Sequence, residues 1–219
     1  MFIVGKIEKR KPGRIAETPS IYQSQIRPAA LTDFILWHPK INWSIRSLPR
    51  IQKKKTALVD IIEHIPANST YWWSKQRAEY LQNQMSEKHG AIADKMIAGR
   101  SLTYGTVFRR VRHGRSMAEL RTDGVAGCLR PPRGGSGRQI LFAAGKGRYA
   151  VRLLTPRECA RLMGADDFRI TGSLNKALFG FGDAVCVPVI TWIAENYLNP
   201  VWKELYSTQA RKKRSRATA

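Results

Sequence analysis

A pattern of mostly apolar and aromatic positions recurs at three- and four-residue steps between Tyr71 and about Ile97. The positions that carry this period are Trp73, Arg77, Tyr80, Leu81, Gln84 and Met85. That spacing places them on one side of a helix. The pattern therefore predicts a helical stretch that Gly90 divides into two helices, and a shorter helix is predicted over Ala57–Glu63.

Between Arg100 and Arg152 the apolar runs become short and glycine becomes frequent. Three runs have the composition of strands: Thr106–Phe108, Gln139–Phe142 and Tyr149–Val151. Seven glycines lie between Gly124 and Gly147, so we predict short strands joined by flexible loops. Phe2–Val4 predicts one more buried strand, and its abrupt position leads us to expect further protein before it.

Helical signals return after residue 152, and they are unusually well marked. Thr155 with Glu158 forms the sequence of a capping box, and Pro156 occupies the first helical position. Gly164 can end that helix in the left-handed conformation. Two further helices are predicted: one capped by Ser173 and stopped at Gly180, and one over Val187–Leu198.

The charge of the chain narrows the classes of partner. Lys and Arg number 38 against 16 Asp and Glu, so the net charge is 38 − 16 = +22. Such an excess repels itself unless a polyanion shares it, and nucleic acid is the commonest one. A membrane surface or a merely solvated basic face are the alternatives. Residues 100–152 hold 12 Lys and Arg and two acids, which makes this the candidate DNA-binding window.

Within that window the arginine and glycine positions suggest how DNA would be contacted. Guanidinium groups can bind phosphate or guanine through two hydrogen bonds, and glycine lets backbone approach a duplex closely. The candidate DNA-binding residues are Arg109, Arg110, Arg112, Arg130, Arg133, Gly134, Gly135, Ser136 and Arg138. We predict that these arginines lie on loops. A disordered Arg/Gly tract that binds RNA loosely is the alternative.

The three cysteines exclude some kinds of site. Cys128, Cys159 and Cys186 have neither zinc-site spacing nor a disulfide pattern, so no metal is predicted and a reducing compartment is expected. We expect Cys159 and Cys186 to be buried on helix faces. No segment reads as a signal peptide or a membrane span. These features predict a cytoplasmic, nucleoid-associated protein without a membrane partner.

Three segments, in order, resemble the cytosine-C5 DNA methyltransferases. Residues 152–164 (RLLTPRECARLMG) resemble the ninth motif of that family nearly residue for residue. Residues 181–190 (FGDAVCVPVI) resemble the tenth motif. Gly124–Leu129 followed by Gly134-Gly135 is similar to the recognition segment that precedes the ninth motif. The resemblance covers residues 105–200 well and residues 1–104 only by position.

The resemblance implies an α+β fold: an irregular strand-and-loop DNA-recognition region plus C-terminal helices that close a Rossmann-like domain. It divides the chain into a residual catalytic-domain strand and linker (1–65), a target-recognition domain (66–150), the ninth and tenth motifs (151–200) and a basic tail (201–219). It also implies S-adenosylmethionine as cofactor, contacted by Asp183, Ala184 and Val185. The implied structural residues of the ninth motif are Thr155, Arg157, Glu158 and Arg161.

The sequence departs from the family in what it lacks. The family's nucleophile lies in Pro-Cys-Gln, and none of the three cysteines has those neighbours. Asp183 stands where the family usually has Asn, and Cys128 where many members have a phosphate-contacting Thr. We therefore expect no catalytic residue here, and an apolar face left exposed on the helix Val187–Leu198.

Several interpretations of that departure stay open. The chain can be the C-terminal portion of a prokaryotic or phage DNA (cytosine-5-)-methyltransferase, inactive alone and able to bind double-stranded DNA. A second chain carrying the N-terminal motifs would make it the recognition subunit of a split enzyme. A truncated or frameshifted gene would leave an inactive remnant. A stand-alone DNA-binding or regulatory module is the alternative from a different class.

Overall fold

The structure is a computed structural model that describes residues 26–41, 43, 45–46, 48–51, 56–131 and 138–207. Its contacts divide the chain into two compact units. One comprises Lys54–Thr191, and the other is drawn from Met1–Lys53 and Trp192–Ala219. The predicted strand at Phe2–Val4 lies outside the described residues. The functional division predicted at residues 65, 150 and 200 stays a prediction.

The described elements alternate from helices to strands and back to helices. The first four helices are α1 (Ala29–Trp37), α2 (Leu58–Ile61), α3 (Lys75–Asn83) and α4 (Glu87–Ala98). The strands are β1 (Thr103–Arg112), β2 (Arg115–Arg121), β3 (Ile140–Gly145) and β4 (Arg148–Leu153). The closing elements are α5 (Pro156–Leu162), α6 (Leu174–Asp183), α7 (Val187–Ile193) and a π-helical turn (Ala194–Leu198), after which residues 199–207 are helical.

The four strands form one antiparallel sheet in the order β2-β1-β3-β4. Val107 pairs with both Leu120 and Ile140, so the three side chains share one sheet face. This face packs on α3 and α4 through Leu81 and Ala93, which are fully or almost fully buried. The fold is α+β as predicted, and the four described strands form a small antiparallel sheet.

The opposite sheet face carries the second core of the same unit. Leu141 of β3 packs there with Cys159 of α5 and with Leu178 and Phe181 of α6. Helices α5 and α6 therefore lie against the sheet, on the side away from α3 and α4. This arrangement brings the segment that resembles the ninth motif, and Phe181 at the start of the segment that resembles the tenth, onto the sheet.

The helical stretch around residues 71–97 does form two helices, but they divide elsewhere than predicted. Ser74 and Ser86 cap α3 and α4 by accepting the amide hydrogens of Arg77 and His89. The break therefore lies at residues 84–86, and Gly90 is inside α4. A Cβ atom at Gly90 would meet nothing within 4 Å, so glycine there serves no turn.

The strands are longer than predicted, and β2 was missed altogether. His113 and Gly114 have positive φ angles of 49° and 74° and turn β1 into β2, as a two-residue hairpin requires. Arg109, Arg110 and Arg112 consequently lie on β1 and not on a loop, which corrects the sequence-based placement. The physical reason is that β2 pairs with β1 along its whole charged end.

The signals after residue 152 are mostly confirmed. Thr155 and Glu158 form both halves of the capping box, with Pro156 at the start of α5. Gly164 has a φ of 70°, as predicted for a helix end. Ser173 caps α6. The prediction that Gly180 stops this helix is wrong, because α6 continues to Asp183 and Gly180 faces open space.

The second unit is small and exposes several aromatic side chains. Arg46 donates two hydrogen bonds to the carboxylate of Glu204, at 2.8 Å and 2.5 Å. The indole of Trp37 is 78% exposed and that of Trp202 is 61% exposed. Few of its described apolar residues are buried, Ile35 and Val201 among them.

One stretch near the C-terminus, Leu174–Ser207, has the length and composition of a membrane span. Its most apolar 18-residue window has a mean hydropathy of 1.7 and is 6% buried. The expectation that no segment reaches this length and composition is therefore wrong. The cause is that two apolar helices, α6 and α7, follow each other closely. They are separated by non-helical residues 184–186, next to the charged Asp183.

Candidate functional site

Three arginines from separate elements lie close enough for their charges to interact, and we call them the arginine cluster. They are Arg77 of α3, Arg109 of β1 and Arg138, which precedes β3. Burial, and then the positive charges of Arg109 and Arg138, lower the pKa of the Arg77 guanidinium. Like charges held this closely repel one another, so the cluster favours an anion between or beside them.

Two contacts fix side chains of the arginine cluster. The guanidinium carbon of Arg77 lies 3.9 Å from the ring centroid of Trp73, which holds the charge over an aromatic face. Arg138 donates from Nη2 to Oδ1 of Asn175 on α6, at 2.8 Å. The cluster is therefore positioned by an indole and by an amide oxygen.

The hairpin arginines predicted from the sequence differ in their surroundings. Arg109 belongs to the arginine cluster. Arg110 is exposed, with its guanidinium carbon 4.8 Å from the Phe108 ring centroid. Arg112 forms an ion pair with Glu119 at 2.8 Å, which neutralises part of its charge. The hairpin thus presents Arg110 as an exposed guanidinium, whereas Glu119 neutralises part of the charge of Arg112.

The loop before β3 is only partly described. Arg130 is exposed, whereas Arg133, Gly134, Gly135 and Ser136 lie outside the described residues. The described backbone of the loop, at Arg130 and Pro131, comes close to Gly182 of α6. A Cβ atom at Gly182 would come within 2.3 Å of the Pro131 nitrogen and 2.5 Å of the Arg130 carbonyl carbon. Glycine is therefore required where the segment that resembles the tenth motif meets the loop before β3.

The ninth-motif segment is organised around the carboxylate of Glu158, which is fully buried. It accepts two hydrogen bonds from Arg152, at 2.7 Å and 2.5 Å. It also accepts the backbone amides of Thr155 and Glu63, both at 2.8 Å. The Thr155 hydroxyl donates to the Glu63 carboxylate. One carboxylate thus joins β4, α5 and the segment that follows α2.

The other two residues implied for the ninth motif contact the loop after α5. Arg161 donates from Nε to Asp166 at 3.0 Å and from Nη1 to the carbonyl oxygen of Ile61 at 3.1 Å. Arg157 donates to the backbone oxygen of Asp166. Both arginines therefore connect α5 to the loop that follows it, through hydrogen bonds to Asp166.

Asp183, Ala184 and Val185 do not form an enclosed site. All three are exposed, at the end of α6 and in the non-helical residues that follow. Nearby, the Val187 amide donates to the Met163 oxygen at 2.9 Å. Within the described part of the chain this segment offers at most one wall to S-adenosylmethionine. The described residues do not by themselves form a whole cofactor site.

The cysteines have the character of packing residues or surface residues. Burial, aided by the charge of Glu158, raises the pKa of the Cys159 thiol to about 12, and its position on α5 confirms a buried helix-face residue. Cys186 is half-buried in the residues between α6 and α7, so that prediction is wrong for it. Among the described residues no group of three His, Cys, Asp or Glu could hold a metal ion.

Sequence reasoning missed Arg77 as a member of the candidate interface and the roles of Glu63 and Arg152 in the Glu158 network. Arg77 appeared only as one position of a helical period. Its spacing of four residues from Trp73 was the available signal, because residues at that spacing in the predicted helical stretch would share one side; in the structure Trp73 lies just before the cap of α3. Nothing local in the sequence signals that Glu63 reaches Thr155.

Comparison with known sequences gives one match. The family model described as C-5 cytosine-specific DNA methylase matches residues 10–199. The match includes both the sheet and the helices that pack on it. A search of curated proteins finds no match to this chain.

Proposed function

Because this chain belongs to the family of C-5 cytosine-specific DNA methylases, we propose that it is the DNA-binding and closing portion of a DNA (cytosine-5-)-methyltransferase. The family is one of transferases that act on DNA and use S-adenosylmethionine. The finer assignment rests on what these residues offer. They offer a cluster of three arginines, and they contain no Pro-Cys-Gln.

The arginine cluster is the observation that carries the DNA-binding part of the proposal. Arg77, Arg109 and Arg138 bring three positive charges together, and Arg138 directly follows the Gly-rich segment in the sequence. A phosphate placed there would relieve their repulsion and accept charge-assisted hydrogen bonds. The net charge of +22 would add attraction at longer range. Phosphate contacts of this kind position a duplex, and base reading would come from the neighbouring loop.

The exposed segment after α6 supports the closing part of the proposal. Asp183, Ala184 and Val185 would form one wall of a S-adenosylmethionine site, and the remaining walls would come from residues outside this chain or from a longer form of it. The exposed side chains of Val185, Val187 and Ile190 give an apolar surface for that contact. In this arrangement the chain binds the DNA and contributes to the cofactor site, and it does not supply the nucleophile.

A split enzyme and a stand-alone DNA-binding module remain the two other candidates. The apolar surface around Val187 and Ile190 favours the split enzyme, because a module that works alone gains nothing from an uncovered face. In a split enzyme a second chain supplies the motifs with the nucleophile. For this reason we favour the split enzyme over the stand-alone module.

Two assays and one sequence observation test the proposal. Fluorescence anisotropy with a labelled duplex should detect binding whose affinity falls steeply with salt. A methyl-transfer assay with labelled S-adenosylmethionine on the chain alone should read background. Methyl transfer by the isolated chain would refute the absence of a nucleophile, and failure to bind duplex DNA would refute the recognition role. Reading the DNA before the codon for Met1 would show whether Pro-Cys-Gln is encoded in frame, in another frame or in a separate gene.

A further inference from the structure

A cleft of about 780 Å³ lies in the unit formed by Lys54–Thr191. We call it the aromatic cleft. The segment after α2, including Trp72 and Trp73, lines it together with Tyr104 of β1 and the turn between β3 and β4. Its volume falls within the range of about 300–1,000 Å³ typical of small-molecule sites.

The walls of the aromatic cleft are flat rings that the protein covers only partly. Trp72, Trp73, Tyr104 and Tyr149 are all half-buried. Two of the rings are held in place by cations: the guanidinium carbon of Arg152 lies 5.2 Å from the Trp72 ring centroid, and Arg77 lies over Trp73. Rigid, partly exposed aromatic faces are the surfaces on which nucleobases stack.

The rim of the same cleft is positively charged. Lys75, Lys146 and Arg148 line it and are exposed. Within the described residues, Lys146 and Arg148 form no ion pair. The acid among the lining residues, Glu63, already accepts the Thr155 hydroxyl. The cleft therefore combines stacking faces with cations that remain available to an anion.

We propose that the aromatic cleft binds a nucleotide, with the base against the aromatic walls and the phosphate at the Lys146 and Arg148 rim. The source of that nucleotide is either an unpaired position in a nucleic-acid strand or a free mononucleotide. Trp73 belongs to the cleft and also carries Arg77 of the arginine cluster. A strand that passes the cluster could therefore continue into the cleft. That continuity rests on the proposed DNA-binding function, whereas occupancy by a nucleotide does not.

The test uses the full chain and a fluorescein-labelled single-stranded dT12, followed by anisotropy. The cleft variant is Lys146→Gln with Arg148→Gln, both exposed on the β3–β4 turn. Its matched control is Lys88→Gln with Lys95→Gln, which removes the same charge from the exposed side of α4. We expect dT12 binding to weaken at least about fivefold in the cleft variant, as for lost phosphate contacts, and by less than about twofold in the control.

A stacking variant and a competition separate the outcomes. Tyr104→Leu should weaken dT12 binding while a duplex still binds, and far-UV circular dichroism checks that it folds. Displacement of dT12 by dTMP identifies the free nucleotide as a sufficient ligand, and displacement only by unlabelled dT12 identifies the strand. No dT12 binding by the wild-type chain, or equal weakening in cleft and control variants, would overturn the proposal. Loss of duplex binding alone would count against the proposed function and not against the cleft.

Discussion

The guanidinium of Arg152 and the carboxylate of Glu158 form a two-bond ion pair in which both side chains are 0% exposed. Burial on this scale is costly for each charge alone, because neither has water to solvate it. Here the pair gains further partners, since Glu158 also accepts two backbone amides. The pair thereby fixes the start of α5 on the end of β4.

Removing one partner of this pair should be strongly destabilising. We expect Glu158→Gln to lower the free energy of unfolding by about 3–5 kcal/mol, because Arg152 is left buried without a counter-charge. Urea unfolding followed by circular dichroism measures the change. The control is Glu119→Gln, whose partly exposed pair with Arg112 should contribute roughly 0–1 kcal/mol. Similar losses in the two variants would contradict a special role for the buried pair.

Single substitutions in the arginine cluster should weaken duplex binding and flatten its salt dependence. Arg77→Ala and Arg138→Ala should each reduce the slope of log affinity against log salt by about one phosphate contact. Anisotropy titrations between low and moderate salt measure that slope. The control is Arg121→Ala, because Asp123 already neutralises Arg121 through bonds of 2.7 Å and 2.8 Å. If the control changes the slope as much, the cluster is not the phosphate-binding site.

Two glycines of α6 should respond in opposite directions to the same substitution. A Cβ atom at Gly182 would clash with the backbone of Arg130 and Pro131, whereas one at Gly180 meets nothing within 4 Å. We expect Gly182→Ala to destabilise the fold by roughly 1–3 kcal/mol and to weaken duplex binding. Gly180→Ala should stabilise the helix by up to about 1 kcal/mol. Thermal unfolding and anisotropy measure both effects, and identical behaviour of the two variants would argue against the close approach.

The cysteines should differ sharply in reactivity. The pKa of Cys159 is raised to about 12, and its side chain is buried. At pH 8 it therefore stays protonated and inaccessible. Iodoacetamide at pH 8 should modify the exposed Cys128 first, and Cys159 only after unfolding. Peptide mass spectrometry measures the order, with Cys128→Ser as control. Early modification of Cys159 in the folded chain would contradict its placement.

Features set by neighbouring residues were predicted well from the sequence. The capping box at Thr155 and the left-handed Gly164 depend on a few adjacent side chains, and both are present. Helix ends that depend on tertiary packing were not predicted well. Gly180 does not stop α6, because glycine is tolerated inside a helix whose other residues, such as Leu178 and Phe181, are buried. Tertiary packing there outweighs the local preference.

The candidate site was predicted only in part, for a related reason. The resemblance of the C-terminal segments led to the family that the comparison finds. The convergence of Arg77 with Arg109 and Arg138 could not be predicted, because it depends on how α3 crosses the sheet. Strand β2 could not be predicted either. Its charged and polar residues obscure the alternating pattern in which Ala118 and Leu120 are buried. DNA binding itself stays a prediction.

The contact of Gly182 with Arg130 and Pro131 has a consequence for exchanging target specificity between relatives. A graft that ends with the sheet would transfer the loop before β3 without the residues of α6 that it contacts. The backbone of a donor loop that follows a different path would then clash with α6 at Gly182. Chimeras should therefore retain function only when the transplanted segment runs from the recognition sheet through Gly182.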